Sequence, residues 1–341
     1  MYSTSVESTN QPYLFPEAQA SQSLASAGPA ARAPRERELA TSRVLLHVFL
    51  LSVTVATTTL TGAGMSVETG EPGSILGALL APVLAVFKET LQGNLAPLTN
   101  GLLFSFTLLT ILGAHELGHY FACRYYGIRA TLPFFIPAPP VITPFGTLGA
   151  VIKIKEPITT RRALFDIGIA GPLAGFAFAL PASIVGLWFA KSAPPPAGGG
   201  LQFNDPLLFK VVMGLAGLPH WIEWNPIYWA AWGALLVTAL NLFPVGQLDG
   251  GHVAYAVAGP RLHRWISRIT CASVAALAVI SIVMYGSPVW LLWTLVLLFL
   301  LRAGHPPVIE EEPLGAARII LAVVAAVVFL LCFMPFPITV S

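Results

Sequence analysis

The feature that most limits the fold of this chain is a series of long apolar runs almost free of charge. A helix needs about 20 apolar residues to cross the ~30 Å hydrocarbon core of a bilayer. Residues 44–64, 97–124, 163–190, 226–244, 265–285, 287–302 and 316–335 read as such helices. The fifth and sixth are joined by the short turn Gly286-Ser287-Pro288. Residues 74–87 are also apolar but too short to span, which suits an interfacial or re-entrant segment. Charged residues make up only 10% of the 341, where a soluble domain carries about 25%. So few charges cannot cover a water-soluble enzyme, and the 55% hydrophobic share excludes disorder throughout. The expected fold class is an all-α polytopic membrane protein of about six or seven transmembrane helices, with a small membrane-associated β-hairpin near its polar motifs.

Other classes fall away on the same grounds. A net charge of +2 is too small to suggest nucleic acid as a partner. The three cysteines, Cys123, Cys271 and Cys332, form no CxxC pair, so neither a disulfide framework nor a thiolate metal site is indicated.

The chain divides into four parts. Residues 1–43, rich in Ser, Ala, Pro and Gln, read as a disordered cytoplasmic tail. Residues 44–96 carry the first transmembrane helix and the interfacial segment, 97–259 the polar motifs, and 260–341 the C-terminal transmembrane helices. With the tail cytoplasmic and seven spans alternating, fifteen of the eighteen Lys and Arg fall on the cytoplasmic side. Only Lys88, Lys191 and Lys210 lie opposite. Positive charge gathers in cytoplasmic loops. The split therefore supports both the span count and the direction, with the polar motifs toward the cytoplasmic side; the expected location is the cell (inner) membrane, as a multi-pass protein.

The second span ends in His115-Glu116-Leu117-Gly118-His119. Residues four apart lie one turn apart on one helix face. His115 and His119 can therefore put two imidazole nitrogens on one zinc ion at ~2.0–2.1 Å. Glu116, beside the first ligand, is placed to take a proton from a water and return it to a leaving amine. Three such groups in five residues of an apolar helix cost several kcal/mol in lipid, roughly, and need a compensating partner. The bland reading is the wet end of a helix, with Tyr120, Arg124 and Tyr125 marking the interface.

Catalytic zinc takes three protein ligands and keeps one position open. Of the sixteen acids, only Glu116, Asp166 and Asp249 lie within or against a span near the cytoplasmic face. Asp249 sits in the segment 241–252, NLFPVGQLDGGH, where Pro244 and three glycines break the helix. Broken backbone at membrane depth is tolerated where it lines a wet cavity, so Asp249 is the expected third ligand. The competing role for it is a cap on the next helix. Asp166 is the runner-up ligand, although an acid beside Arg161 and Arg162 at a helix start explains it as well.

HELGH in one span followed by NLFPVGQLDGGH in a later one resembles the site-2 proteases, the intramembrane zinc metalloproteases. The resemblance covers about residues 97–259. It implies a core of three spans, one Zn2+ held by His115, His119 and Asp249, and Glu116 as the acid/base. It also implies that Asn241 helps bind substrate or the developing oxyanion; an amide bonding a neighbouring helix is the plainer role. Too few residues separate His119 from Gly171 for a PDZ domain, so the chain is similar to the compact branch without one. Transmembrane segments of other proteins, within the lipid bilayer, are the substrates this implies. A membrane zinc protease acting on soluble or lipidated tails, and a non-hydrolytic metal-binding transporter, stay open as alternatives. The oligomeric state is not legible.

Gly168, Gly171, Ala174 and Gly175 put small residues on one stretch of the third span, which permits close helix approach. Residues 150–155 alternate, Ile152 and Ile154 on one face and Lys153 and Lys155 on the other, which marks a strand. Its edge either receives an unwound substrate strand or simply shields the site. His252 is close enough in sequence to Asp249 to touch the metal, with packing the plainer role. His263 reads as part of a basic juxtamembrane stretch, His305 as a loop residue, and Glu310 to Glu312 as a solvated loop. His47 and His220 carry no partner signature.

Overall fold

The computed structural model describes residues 29–67, 75–139, 143–194, 200–219, 221–310 and 312–340. His220 and Glu311 lie outside them. The helices are α1 (Pro29–Gly64), α2 (Ile75–Leu91), α3 (Ala96–Tyr125), α4 (Arg161–Trp188), α5 (Leu207–Ala216), α6 (Pro226–Asn241), α7 (Asp249–Tyr285), α8 (Val289–Ala303) and α9 (Ala316–Cys332). The strands are β1 (Phe134–Pro137), β2 (Thr147–Val151), β3 (Leu201–Phe203) and β4 (Ile338–Val340).

The chain forms two units, one ending at Phe49 and one starting at Leu50. In the first, the tail expected to be disordered over 1–43 is helical from Pro29 onward. Its Ala, Arg, Glu and Leu are strong helix formers, and they outweigh the Pro and Ser content. Residues 1–28 of that tail lie outside the described residues.

Each of the seven expected spans contains a helix, but the lengths differ. Four helices are long and apolar enough to cross a membrane, over Val44–Gly64, Ala96–Tyr125, Arg161–Trp188 and Asp249–Tyr285. α8 and α9 are shorter apolar helices. α6 has 16 residues, and nearly all of them from Tyr228 to Leu240 are buried. Its neighbours cover it, so no bilayer thickness dictates its length. The expected interfacial segment of 74–87 is, from Ile75 onward, part of α2, a 17-residue helix with Pro82 inside; Ser74 lies outside the described residues.

α4 is the central element and packs against α3, α6 and α7. Phe104, Leu108 and Leu112 of α3, Phe165 of α4, and Trp232 and Leu235 of α6 meet in one core. Lipid offers no hydrophobic gain from joining apolar helices, so close packing must hold them. Glycines provide it: a Cβ at Gly118 would meet the Ala170 carbonyl, and one at Gly186 the Tyr228 backbone. Local chemistry sets the helix starts. Thr160 caps α4 by accepting from the Ala163 N–H, and Asn225 caps α6 by accepting from Tyr228, with Pro226 in the first turn.

α7 is kinked at Gly259, where φ is 76° and ψ 170°, followed by Pro260. The Arg161 guanidinium reaches across to the Ala256 and Val257 carbonyls just before the kink. The Ala256 carbonyl would otherwise lack its helical partner, since Pro260 has no N–H to return.

β1 and β2 form an antiparallel hairpin, with Phe134 opposite Val151 and Phe135 opposite Ala150. The strand expected over 150–155 thus starts earlier, at Thr147, and its regular ladder ends at Val151. Pairing resumes one residue out of register at Ala130 and Ile154. Leu132-Pro133 intervenes, and a proline cannot donate to a ladder. The alternation persists regardless. Ile152 and Ile154 pack with Cys123, Ala163 and Ile167, while Lys153 and Lys155 are exposed. Past the strand, Glu156 accepts from the Arg129 backbone N–H and its guanidinium, which holds the carboxyl below the usual range. β3 and β4 form a second antiparallel pair.

Candidate metal centre

Three helices and one broken loop build the polar site. α3 supplies His115, Glu116 and His119, all buried. α6 ends at Asn241. The loop 242–248 then turns back so that α7 begins at Asp249. The turn is tight. A Cβ at Gly250 would collide with the Leu242 carbonyl, and one at Gly251 with the carbonyls of Val245 and Gly246. Only glycine admits this approach.

His115 Nε2 lies 3.1 Å from Asp249 Oδ2, and His119 Nε2 lies 3.3 Å from Asp249 Oδ1. The two Nε2 atoms are 3.1 Å apart. Two ligands at ~2.05 Å in a tetrahedral shell sit about 3.3 Å from each other, so this triangle has zinc-sized edges. His119 Nδ1 donates to the Ile167 carbonyl at 2.7 Å, which leaves Nε2 of a neutral ring with its lone pair inward. The two Nε2 atoms and the carboxylate oxygens thus lie about 3 Å from one another, an arrangement that a cation satisfies. Among the described residues, His115, His119 and Asp249 are the group able to hold a metal ion. The residues present fit the group.

The small residues of α4 have a role here that the sequence pattern did not reveal. A Cβ at Gly171 would fall on the His119 ring, and one at Gly175 would press on His115 at 3.1 Å. The spacing expected to admit a neighbouring helix in fact admits its imidazoles. The Ile167 carbonyl is also invisible in sequence, because every residue offers one.

A cavity of about 300 Å³ opens onto this cluster. Glu116, Asn241, His252 and the Ala150 to Ile152 stretch share its wall. The Ile152 backbone N–H faces the Glu116 carboxylate. Asn241 Nδ2 lies 3.4 Å from His115 Nε2. His252 turns to His305 instead of the cluster, at 2.8 Å. Burial lowers the His305 pKa, and its ring stacks on Tyr255. Asp166, the runner-up ligand, is spent elsewhere. It takes two bonds from Arg318 of α9, at 2.6 and 2.8 Å, and one from the Tyr126 hydroxyl. Glu312 pairs with Arg162 at 2.9 Å, so it is not merely a solvated loop residue.

Residues 103–285, more than half of the chain, match Peptidase family M50. The chain belongs to that family. This is the family of the site-2 proteases that the two motifs resemble. The chain is 30% identical over 271 residues to a protein of Arabidopsis thaliana named probable zinc metalloprotease EGY2, chloroplastic. The match covers 76% of this chain and 45% of that one. Probable zinc metalloprotease EGY1, chloroplastic, of the same plant is 29% identical over 242 residues, 68% of this chain and 42% of the other. The chain thus spans less than half the length of these relatives. A site-2 protease from Methanocaldococcus jannaschii aligns over 69% of this chain and 87% of its own at 18% identity, with a TM-score of 0.31; the family assignment does not rest on it. The M50 chain described here is a mostly helical membrane protein with small antiparallel sheets.

Proposed function

We propose that this M50 chain is an intramembrane zinc endopeptidase that cleaves peptide bonds within or near transmembrane segments of other proteins. The observation that carries the reading is the meeting of His115, His119 and Asp249 beside Glu116, in an open cavity walled by α3, α6, α7 and the β2 stretch. His115, His119 and Asp249 would hold the ion. When bound, zinc polarises a carbonyl and brings the pKa of a coordinated water toward ~7.

The chain's own groups do the rest. Glu116 accepts the proton of the attacking water and hands it to the leaving amine. The Asn241 amide, at the cavity wall, donates to the oxygen that gains charge at the scissile carbonyl. The Ile167 carbonyl keeps the His119 ring oriented by holding its Nδ1 proton. The substrate poses the harder problem, since a helix in lipid buries its carbonyls in its own hydrogen bonds. It must unwind before attack. β2 pairs with β1 on one side, and its residues Ala150 and Val151 line the cavity. An extended substrate segment laid along this wall would gain backbone hydrogen bonds in place of those it loses. The protein sits in a lipid bilayer with the cavity toward its Arg- and Lys-rich face, which the charge bias makes the cytoplasmic one.

Co-expression of single-span membrane proteins with wild type and with Glu116→Gln tests this. Fragments cut inside the span, mapped by mass spectrometry, are expected with wild type alone, with zinc content equal in both proteins. Cuts confined to soluble tails would move the substrate class to that alternative. Function unchanged in Glu116→Gln would point to a transporter.

A further inference from the structure

A second cavity, of about 470 Å³, opens at the kink of α7. Arg264 and Arg268 line it from α7 beyond the kink, and Arg302 lines it from the end of α8. Tyr255, His263, Ser267 and His305 add the other polar side chains of the wall. No Asp or Glu lines it. Among the described residues, none of the three arginines forms an ion pair with a carboxylate.

All three arginines are exposed, and no carboxylate among the lining residues offsets their charge. Arg264 and Arg268 are four residues apart on one helix, where like charges face each other. Arg302 adds a third charge from another helix. The three charges thus share one cavity wall, contributed by two different helices. An anion offsets the repulsion, and guanidinium groups match the oxygens of a phosphate in pairs. The flanking residues indicate where that phosphate comes from. Leu262, Trp265 and Ile269, on the same stretch, are exposed apolar side chains. The Arg268 guanidinium lies 5.3 Å from the centre of the Trp265 ring. Trp at this position marks the level of lipid head groups, and basic pockets between transmembrane helices suit those head groups.

We propose that the cavity lined by Arg264, Arg268 and Arg302 binds the phosphate of an anionic phospholipid head group. The site borders the first cavity through His305, which bonds to His252 of its wall. The proposal does not rest on hydrolysis, because binding is read without turnover.

The test uses the purified full chain in neutral detergent, with bound lipid counted by native mass spectrometry. The probes are dioleoyl phosphatidylglycerol, dioleoyl phosphatidylcholine and inorganic phosphate. Wild type is expected to retain phosphatidylglycerol about tenfold or more over phosphatidylcholine. The triple variant Arg264→Gln, Arg268→Gln, Arg302→Gln should lose that preference. Arg261→Gln, an exposed charge outside the cavity, should keep it. Should the triple variant not fold, Arg302→Gln alone is expected to weaken retention about threefold to tenfold. Equal retention of phosphatidylglycerol by wild type and the triple variant, or by wild type and Arg302→Gln where the triple variant does not fold, overturns the proposal. So does equal retention of the two lipids by wild type. Inorganic phosphate competing through the same arginines supports the phosphate site, and competition at equal affinity assigns it to a soluble anion.

Discussion

A single methyl group separates a working space from a blocked one at Gly171. Its Cβ would occupy the His119 ring, so Gly171→Ala must push that imidazole aside. Loss of metal affinity by about 10–100-fold is expected, as for other disturbed ligand supports. Gly175→Ala meets His115 at 3.1 Å, a contact that a small shift can relieve, and should cost less. Zinc content by atomic absorption after dialysis against a weak chelator ranks the two. Equal zinc retention in wild type and Gly171→Ala would show that α4 does not limit the ring. At the same scale, Asp249→Asn keeps the shape of the side chain but removes its charge. It leaves two histidines facing each other without a counter-charge, and zinc retention should fall further than in Gly175→Ala.

Between elements, the Asp166 pair with Arg318 ties α4 to α9, with Tyr126 at the end of α3 joining in. Both side chains are about one quarter exposed, 25% and 26%, so solvent screens part of the attraction. Asp166→Asn and Arg318→Met are each expected to lower stability by about 1 kcal/mol. The double variant should cost little more than the worse single one, because both remove the same contact. Thermal unfolding in detergent measures this. Zinc content should stay at the wild-type level in all three, whereas a metal-ligand role for Asp166 would require its loss. The kink of α7 is another junction of elements. Gly259 takes a positive φ that other residues adopt only with strain, and Arg161 holds the carbonyls before it.

For the whole molecule, the distribution of positive charge makes a topological prediction. Cysteines placed at the exposed positions Lys191 and Lys210 should react with a membrane-impermeant maleimide from one side only. A cysteine at Arg124 should react from the other. The native Cys123, Cys271 and Cys332 are buried and free, so they contribute little background. Labelling of all three positions from one side would overturn the alternating arrangement.

What the sequence determined by itself was local or repetitive. Apolar runs announce helices, because the backbone must satisfy its own hydrogen bonds in lipid. Four-residue spacing puts His115 and His119 on one face, because an α-helix repeats every 3.6 residues. The alternation of Ile152 to Lys155 forecast which side chains turn inward, though not where the ladder would stop at Pro133. Asp249 meets His115 across 134 residues. Composition and chemistry nominated that acid, but so did they Asp166, and only the crossing of α3, α4 and α7 distinguishes the two. The same crossing puts the Ile167 carbonyl on His119 and Gly171 under its ring, and the packing of α8 on α7 brings His305 against His252. Such meetings depend on the angles and depths at which helices pack, and no periodicity along the chain encodes them.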